Sequence, residues 1–301
     1  MENLTIGVIG LGRMGLAIAE RLAKAGLTVF GLDPSLVNTS AVEVLGIKLV
    51  SSAAELASKT TKIWLMVPAG DVVDTVLAQL LLRLQPGTII IDGGNSFFKD
   101  TIRRSALLEA RGFHFVDCGT SGGLHGKDLG YSLMVGGEIA AVQECEQIFK
   151  AVAMQPGGYA HVGPVGAGHY VKMVHNGIEY AVLQAYGEGF QLLKEGSYKG
   201  LNLAAIAKVW NHGSIIRSWI GELAEGVLTD DQELASVSGA IGENKTGQWT
   251  IDLAKEHGIE LPVIEKSLAV RAWSRATGGN FATKMVAMLR GAFGGHPIGK
   301  M

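Results

Sequence analysis

LTIGVIGLGRMGLAIAERLAKAGLTVFGLD, residues 4–33, decides the fold. Leu4 to Gly10 is a short apolar run with β-branched residues that closes on a glycine turn. Leu16 to Ala25 follows at helical spacing until Gly26 stops it, and Leu27 to Leu32 is a second strand ending at Asp33. Between the first strand and the helix stands Gly10-Leu11-Gly12-Arg13-Met14-Gly15, a G-x-G-x-x-G. Such a motif is weak alone, and a plain glycine-rich turn is its simplest alternative. Its place, closing a strand and opening a helix, makes it a phosphate cradle. The first glycine makes the turn and the second lets a pyrophosphate approach. The third lets the helix pack, and the helix N-terminus offers free N–H groups. Asp33 stands where a ribose-binding acid is expected. A carboxylate there accepts from both ribose hydroxyls and repels a 2′-phosphate. The next residues are Pro34 and Ser35, not a cation, so the reading favours NAD over NADP. Asp33 as a mere turn former before Pro34 is the alternative.

The same alternation continues outward. Ile47–Val50, Lys62–Val67, Thr88–Ile91, Phe113–Val116 and Ser132–Val135 read as further strands with amphipathic stretches between most of them. That pattern predicts a parallel sheet covered on both faces. Val67-Pro68-Ala69, at the fourth strand end, either lies along the cofactor or is a plain turn, and the sequence favours neither. Near Pro164 the pattern changes, and strand signals vanish from Gly168 onward. Helical patterns run over Tyr170–Lys194, Asn202–Asn211, Ile215–Glu225 and a long stretch from Thr250 to Leu289. The expected fold class is an α/β Rossmann-type dinucleotide-binding domain, residues 1–165, followed by an all-α domain, residues 166–301.

Composition agrees. The 301 residues carry 26 Lys+Arg against 28 Asp+Glu, a formal net charge of -2, which excludes a strongly basic nucleic-acid binder. Hydrophobic residues make up 48%, enough for a substantial core. Two cysteines, Cys118 and Cys145, exclude a disulfide framework and a Cys-rich zinc site. No apolar run reaches spanning length, and the opening residues show no signal-like pattern, so a cytoplasmic protein is the expectation. The 42 glycines are about twice the usual share, which points to backbone that approaches ligands closely.

Three segments carry too many polar groups for plain structure. Asp92-Gly-Gly-Asn95-Ser96 and Ser121-Gly122-Gly123 each follow a strand, where ligands of open parallel sheets bind. Successive glycine N–H groups and a serine hydroxyl can hold a carboxylate, although capped turns explain each segment taken alone. The third segment is Lys172-Met-Val-His175-Asn176-Gly-Ile-Glu179-Tyr180. At about 100° per residue, Lys172, His175, Asn176 and Glu179 share one helix face. A solvated face with a Lys–Glu pair is the plain alternative, and Val171, Val174 and Ile178 are expected to be buried. A lysine beside a nicotinamide can take a hydroxyl proton. Free lysine titrates near 10.4, so neutrality at pH 7 to 8 asks desolvation for about three pH units, roughly 4 kcal/mol. A nearby Glu can return a proton.

Together these segments resemble 6-phosphogluconate dehydrogenases. GLGRMG, DGGNS, DCGTSGGLHGKDLGYSLMVGG and GAGHYVKMVHNGIEY match that family's motifs in order, over nearly the whole chain. The chain is similar to the short form, which lacks a second helical repeat and commonly prefers NAD. The resemblance implies oxidative decarboxylation of 6-phosphogluconate to ribulose 5-phosphate, a pentose phosphate pathway reaction, with no metal. It implies Lys172 as base, Glu179 as the acid that protonates C1, and Asn176 holding the reacting hydroxyl. His175 and Asn95 would contact neighbouring hydroxyls, and Ser121, Gly122 and Gly123 the carboxylate. For the phosphate it implies Tyr180 and Arg271. Lys245 is a weaker match, because Asn244 stands where the long form has lysine. Arg290-Gly-Ala-Phe293-Gly294-Gly-His296 matches a family tail that enters the partner's site, which implies a homodimer completed by Arg290 and His296. No nucleic-acid or membrane partner is implied. The rival readings are another β-hydroxyacid dehydrogenase of the 3-hydroxyisobutyrate type, and a dinucleotide sensor without turnover.

Overall fold

The computed structural model describes residues 4–300. The first part alternates strand and helix. Its order is β1 (Thr5–Ile9), α1 (Arg13–Lys24), β2 (Thr28–Leu32), α2 (Thr39–Glu43), β3 (Ile47–Leu49), α3 (Ala53–Lys59), β4 (Lys62–Leu65) and α4 (Asp71–Leu81). It continues with β5 (Ile89–Asp92), α5 (Phe98–Glu109), β6 (His114–Ser121), α6 (Gly126–Leu129), β7 (Ser132–Gly136), α7 (Ile139–Glu144), α8 (Glu146–Val152) and β8 (Tyr159–Gly163). Helices follow: α9 (Ala167–Glu195), α10 (Leu203–Asn211), α11 (Trp219–Asp230), α12 (Lys245–Glu256), α13 (Pro262–Thr277) and α14 (Phe281–Gly294). By compactness the chain divides between Met173 and Val174, inside α9. Among the described residues no helix is long and apolar enough to cross a membrane.

In the first unit eight strands form one sheet in the order β3-β2-β1-β4-β5-β6-β7-β8. The order reverses beside β1, which leaves a crevice at the carboxyl ends of β1 and β4. β1 to β6 are parallel, but β7 runs antiparallel to β6. The sheet departs locally from the expected parallel arrangement there because only the turn from Gly122 to Tyr131, with no full crossover helix, joins the two strands. β8 carries no alternating apolar signal. Its middle residues are exposed, and no strand is expected there from the sequence.

Strand alternation sorts the core. Ile6, Val8, Trp64, Ile89 and Ile91 face one apolar layer, while Ile9, Ile63, Leu65 and Ile90 face the other. The second unit packs Leu183, Phe190, Leu228, Met285 and Leu289 into a core of its own. The stretch from Thr250 to Leu289 falls into three helices. Gly258, at φ 65°, ends α12, and Pro262 starts α13. Gly278, at φ 84°, ends α13 with a left-handed cap.

Candidate functional site

The nucleotide end is built on β1, β2 and β4. Gly10 has φ 90°, and a Cβ there would sit 2.5 Å from the Met66 carbonyl oxygen and 3.1 Å from the Val67 side chain, so only glycine fits. The space around Gly12 is open, and α1 begins there with no side-chain cap and no acid in its first turn. Its first-turn N–H groups, at Arg13 and Met14, would suit an anion. Gly15 packs directly on the Gly10 carbonyl. Leu11 is buried, and its N–H donates to Asp33 Oδ2 at 2.8 Å; Ser35 N donates to Oδ1 at 2.8 Å. Asp33 is thus fixed at the end of β2 with a negative edge beside the cradle. These residues fit a nicotinamide dinucleotide. Pro68 is exposed just beyond Val67, at the end of β4.

The two polar turns meet. Asn95 holds a left-handed backbone, φ 54°. Its side chain donates from Nδ2 to the Thr120 carbonyl at 3.0 Å and accepts from Thr120 N at 2.9 Å. That reciprocal pair joins the end of β5 to Ser121, the last residue of β6, and to the Gly122 and Gly123 turn that follows. Asp92 and Asp117 are register partners on β5 and β6 and are fully buried. Asp92 accepts from Ser96 Oγ at 2.7 Å and from Gly94 N at 3.0 Å. Asp117 accepts from Gly166 N at 2.6 Å and His169 N at 2.7 Å, satisfying two donors at the start of α9. No role for Asp92, Asp117 or Thr120 is expected from the sequence. The available signal was an acid at the end of an otherwise apolar strand, which is not buried unless partnered.

Lys172, one and a half turns into α9, is only 6% exposed. This excludes a solvated face at that position. Met173, Gly177 and Tyr180 are also buried, but Ile178 is 55% exposed, against expectation. His175 and Asn176 on the polar face are half-buried, and so are Val171 and Val174, expected to be buried. His175 Nδ1 lies 3.2 Å from Asn176 Oδ1, and Asn176 Nδ2 donates to Thr246 Oγ1 at 3.3 Å. Glu179 is half-buried one turn further on.

In the second unit a cationic cluster gathers around Tyr180. The Tyr180 hydroxyl donates to Asn244 Oδ1 at 2.6 Å. The Arg271 guanidinium lies over the Tyr180 ring, 3.5 Å from its centroid. Arg271 is 1% exposed, and its Nη1 and Nη2 have no hydrogen-bond partner. Burial pushes it down to about 10, and the charge of Arg290 adds to that. Arg290 is itself buried, and burial lowers it too. Two buried guanidinium groups, one with both terminal nitrogens free of hydrogen bonds, suit an anionic ligand.

Two of the expected phosphate contacts take the following places within the chain. Asn244, in the lysine's place, caps α12 by accepting from Thr246 N, and Lys245 is exposed as the first residue of that helix. The Arg290 segment is not a free tail. It is the last turn of α14, whose apolar face fills the helical core, so Arg290 stands beside Arg271 of its own chain. His296 packs edge-on against Phe293, 6.1 Å between centroids, and Ser238 N donates to the Gly299 carbonyl at 2.8 Å. Among the described residues no group of three or more His, Cys, Asp or Glu is placed to hold a metal.

Residues 5–166 match the family described as the NAD binding domain of 6-phosphogluconate dehydrogenase, and residues 168–291 match its C-terminal domain. The chain is 44% identical over 301 residues to the NAD(+)-dependent, decarboxylating 6-phosphogluconate dehydrogenase of Haloferax volcanii, covering 99% of each. It is 34% identical to the NADP(+)-dependent, decarboxylating enzyme of Bacillus subtilis, covering 90% of this chain and 61% of that protein. Among solved structures it is similar to Plasmodium falciparum 6-phosphogluconate dehydrogenase, with a TM-score of 0.82 at 28% identity over 90% of this chain and 62% of that one. Nucleotide end and helical end match in sequence order, and one relative matches end to end. The chain belongs to the 6-phosphogluconate dehydrogenase family of oxidoreductases.

Proposed function

We propose that this protein oxidatively decarboxylates 6-phosphogluconate to ribulose 5-phosphate and CO2 with NAD. The observation that carries the reading is Arg271, buried and unpartnered over Tyr180. A substrate that carries a phosphate supplies the anion that this guanidinium lacks. A small hydroxyacid such as 3-hydroxyisobutyrate leaves the guanidinium uncompensated.

The bound dinucleotide supplies the oxidant. Lys172, neutral when substrate arrives, takes the proton of the 3-hydroxyl while Asn176 holds that hydroxyl. The 3-keto acid then releases its carboxylate as CO2, and protonated Lys172 donates to the C3 oxygen as charge gathers there. Glu179 delivers the last proton to C1. His175 and Asn95 hold neighbouring hydroxyls. Ser121 and the Gly122 and Gly123 N–H groups hold the carboxylate. Arg271, Arg290 and Tyr180 take the phosphate, with Lys245 and His296 at its edge. We assign NAD rather than NADP because the Asp33 carboxylate, fixed by Leu11 and Ser35, repels a 2′-phosphate. The working form is proposed to be a homodimer, since Ile178, Leu192 and Val209 are exposed on helices of the second unit and Ile215 on the loop between α10 and α11.

The test offers 6-phosphogluconate and 3-hydroxyisobutyrate with NAD, reading NADH, CO2 and ribulose 5-phosphate. Turnover of the phosphorylated acid alone is expected. NADH formation with 3-hydroxyisobutyrate only, or with neither, overturns the reading. Asp33→Gly should narrow the preference for NAD over NADP by about tenfold or more, one misplaced charge contact being worth over 1.4 kcal/mol. An unchanged ratio removes Asp33 from the argument.

A further inference from the structure

Lys172 does not hold its own position. It sits early on α9, and three features of the first unit fix the start of that helix. Asp117, fully buried on β6, accepts the N–H groups of Gly166 and His169 with its two carboxylate oxygens. His169, 1% exposed and three residues before Lys172, donates from Nε2 to the Asp92 carbonyl at 3.0 Å, since a carbonyl can only accept. Its Nδ1 lies 2.8 Å from the hydroxyl of buried Thr101 on α5. Gly119 on β6 lets the helix lie close. A Cβ there would sit 2.5 Å from Lys172 Cβ and 2.6 Å from the Gly168 carbonyl oxygen. The Asp92 side chain orders Gly94 and Ser96, and Asn95 between them grips Thr120. One connected set of bonds thus joins the DGGNS turn, the Ser121 turn and the lysine helix.

We propose that Asp117 and His169 are positioning residues that clamp the first turn of α9 and so fix the Lys172 amine for proton transfer. Neither faces the substrate in this scheme, and both act through the helix backbone. The proposal rests on the base assignment above for its kinetic consequence, but not for its geometric one. Displacement of a catalytic group by about 1 Å costs on the order of a hundredfold in rate. Loss of the clamp therefore falls on kcat more than on cofactor binding, because the Gly10 loop and Asp33, at the ends of β1 and β2, take no part in these bonds.

The experiment compares wild type with His169→Ala, His169→Gln, Asp117→Asn and Thr101→Val. Gln keeps a donor near the Nε2 position, and Val keeps the shape of Thr101 without its hydroxyl. Two readouts are taken: steady-state kinetics with NAD affinity, and acetic anhydride labelling of Lys172 followed by peptide mass spectrometry. His169→Ala and Asp117→Asn are expected to lower kcat about tenfold or more with NAD affinity within about twofold. Thr101→Val should lower kcat about fivefold, the worth of one hydrogen bond. His169→Gln should recover most of the loss. Labelling of Lys172 should be several-fold faster in His169→Ala than in wild type and slow again in His169→Gln. Should an Ala or Asn variant fail to fold, Thr101→Val and His169→Gln carry the same comparison. Wild-type kcat in Thr101→Val with unchanged labelling overturns the clamp. So does NAD affinity that falls in step with kcat, or a Gln variant no better than Ala. If wild type does not oxidise 6-phosphogluconate, the proposed function fails, and labelling alone still decides the clamp.

Discussion

At the scale of single residues, chemistry and stability pull in opposite directions. Lys172 is an amine kept at 6% exposure, and Arg271 is a guanidinium kept at 1% with two nitrogens unpartnered. Lys172→Ala should lower kcat by a thousandfold or so while NAD still binds, the order expected when a general base is removed from a preorganised site. Wild-type turnover in that variant, measured as NADH formation, removes Lys172 as the base. Arg271 makes the second case. Burial pushes it down to about 10, so the folded form gives up this proton at lower pH than the unfolded chain does. The sign follows: the destabilisation is in force below about pH 10 and lifts as pH rises past it. At neutral pH the charge is present and waits for an anion. Arg271→Met, similar in length and uncharged, should hold or raise Tm, lose the Tm increase that inorganic phosphate gives the wild type, and raise KM for 6-phosphogluconate about tenfold or more. A marked fall in Tm, followed by differential scanning fluorimetry, contradicts a strained, unpaired cation.

At the scale of elements, ends of strands and starts of helices do the placing. The clearest tie outside the lysine helix joins α4 to α5. Arg104, fully buried, donates from Nε and Nη2 to Asp74 at 3.1 and 2.8 Å and from Nη2 to the Gly70 carbonyl at 2.9 Å. Arg103 adds two bonds of 3.0 Å to the same carboxylate. The Arg104 hydrogen bonds hold Asp74 below its usual carboxylate range, against the opposing effect of burial. A depressed carboxylate stabilises the fold above its unfolded value of about 3.8, and that stability is lost as pH falls through the lower folded value. Asp74→Asn should cost about 1–3 kcal/mol at pH 7, less than a fully buried pair because the carboxylate is over a third exposed. At a second pH, below the unfolded value of about 3.8, the gap to wild type should be smaller. Urea melts at the two pH values check this, and a gap independent of pH assigns the effect to packing.

The same scale shows what the sequence made legible. Glycines and β-branched runs marked β1, β2, β4 and β5, because turn chemistry and two-sided burial are local. The i, i+3, i+4, i+7 spacing of Lys172, His175, Asn176 and Glu179 marked the site helix for the same reason. What escaped was non-local. β8 is held by its pairing with β7 rather than by its own pattern. Antiparallel β7 depends on a turn. The capping of α9 by Asp117 joins residues 49 and 52 positions apart. Asn244 as a cap in place of a cation shows only when the Tyr180 hydroxyl is seen to reach it.

At the scale of the whole molecule, the open point is which chain completes the phosphate end. The family tail implies a partner's Arg290 and His296. In this chain Arg290 is buried in α14, its charge acts on Arg271 of the same chain, and the residues beyond fold back through Val237 and Ser238. A subunit-mixing experiment separates the two arrangements. Lys172→Ala and Arg290→Ala chains are each nearly inactive, and they are co-expressed or unfolded and refolded together. If Arg290 serves the partner's site, a mixed dimer holds one site with both groups intact, and about a quarter of wild-type activity returns under random pairing of two-site dimers. If Arg290 serves its own chain, every mixed site lacks one group and activity stays at the level of the weaker parents. The burial of Arg290 beside Arg271 predicts the second result. Recovery near a quarter, measured as NADH formation at saturating 6-phosphogluconate, shows that α14 exchanges between subunits in the working enzyme.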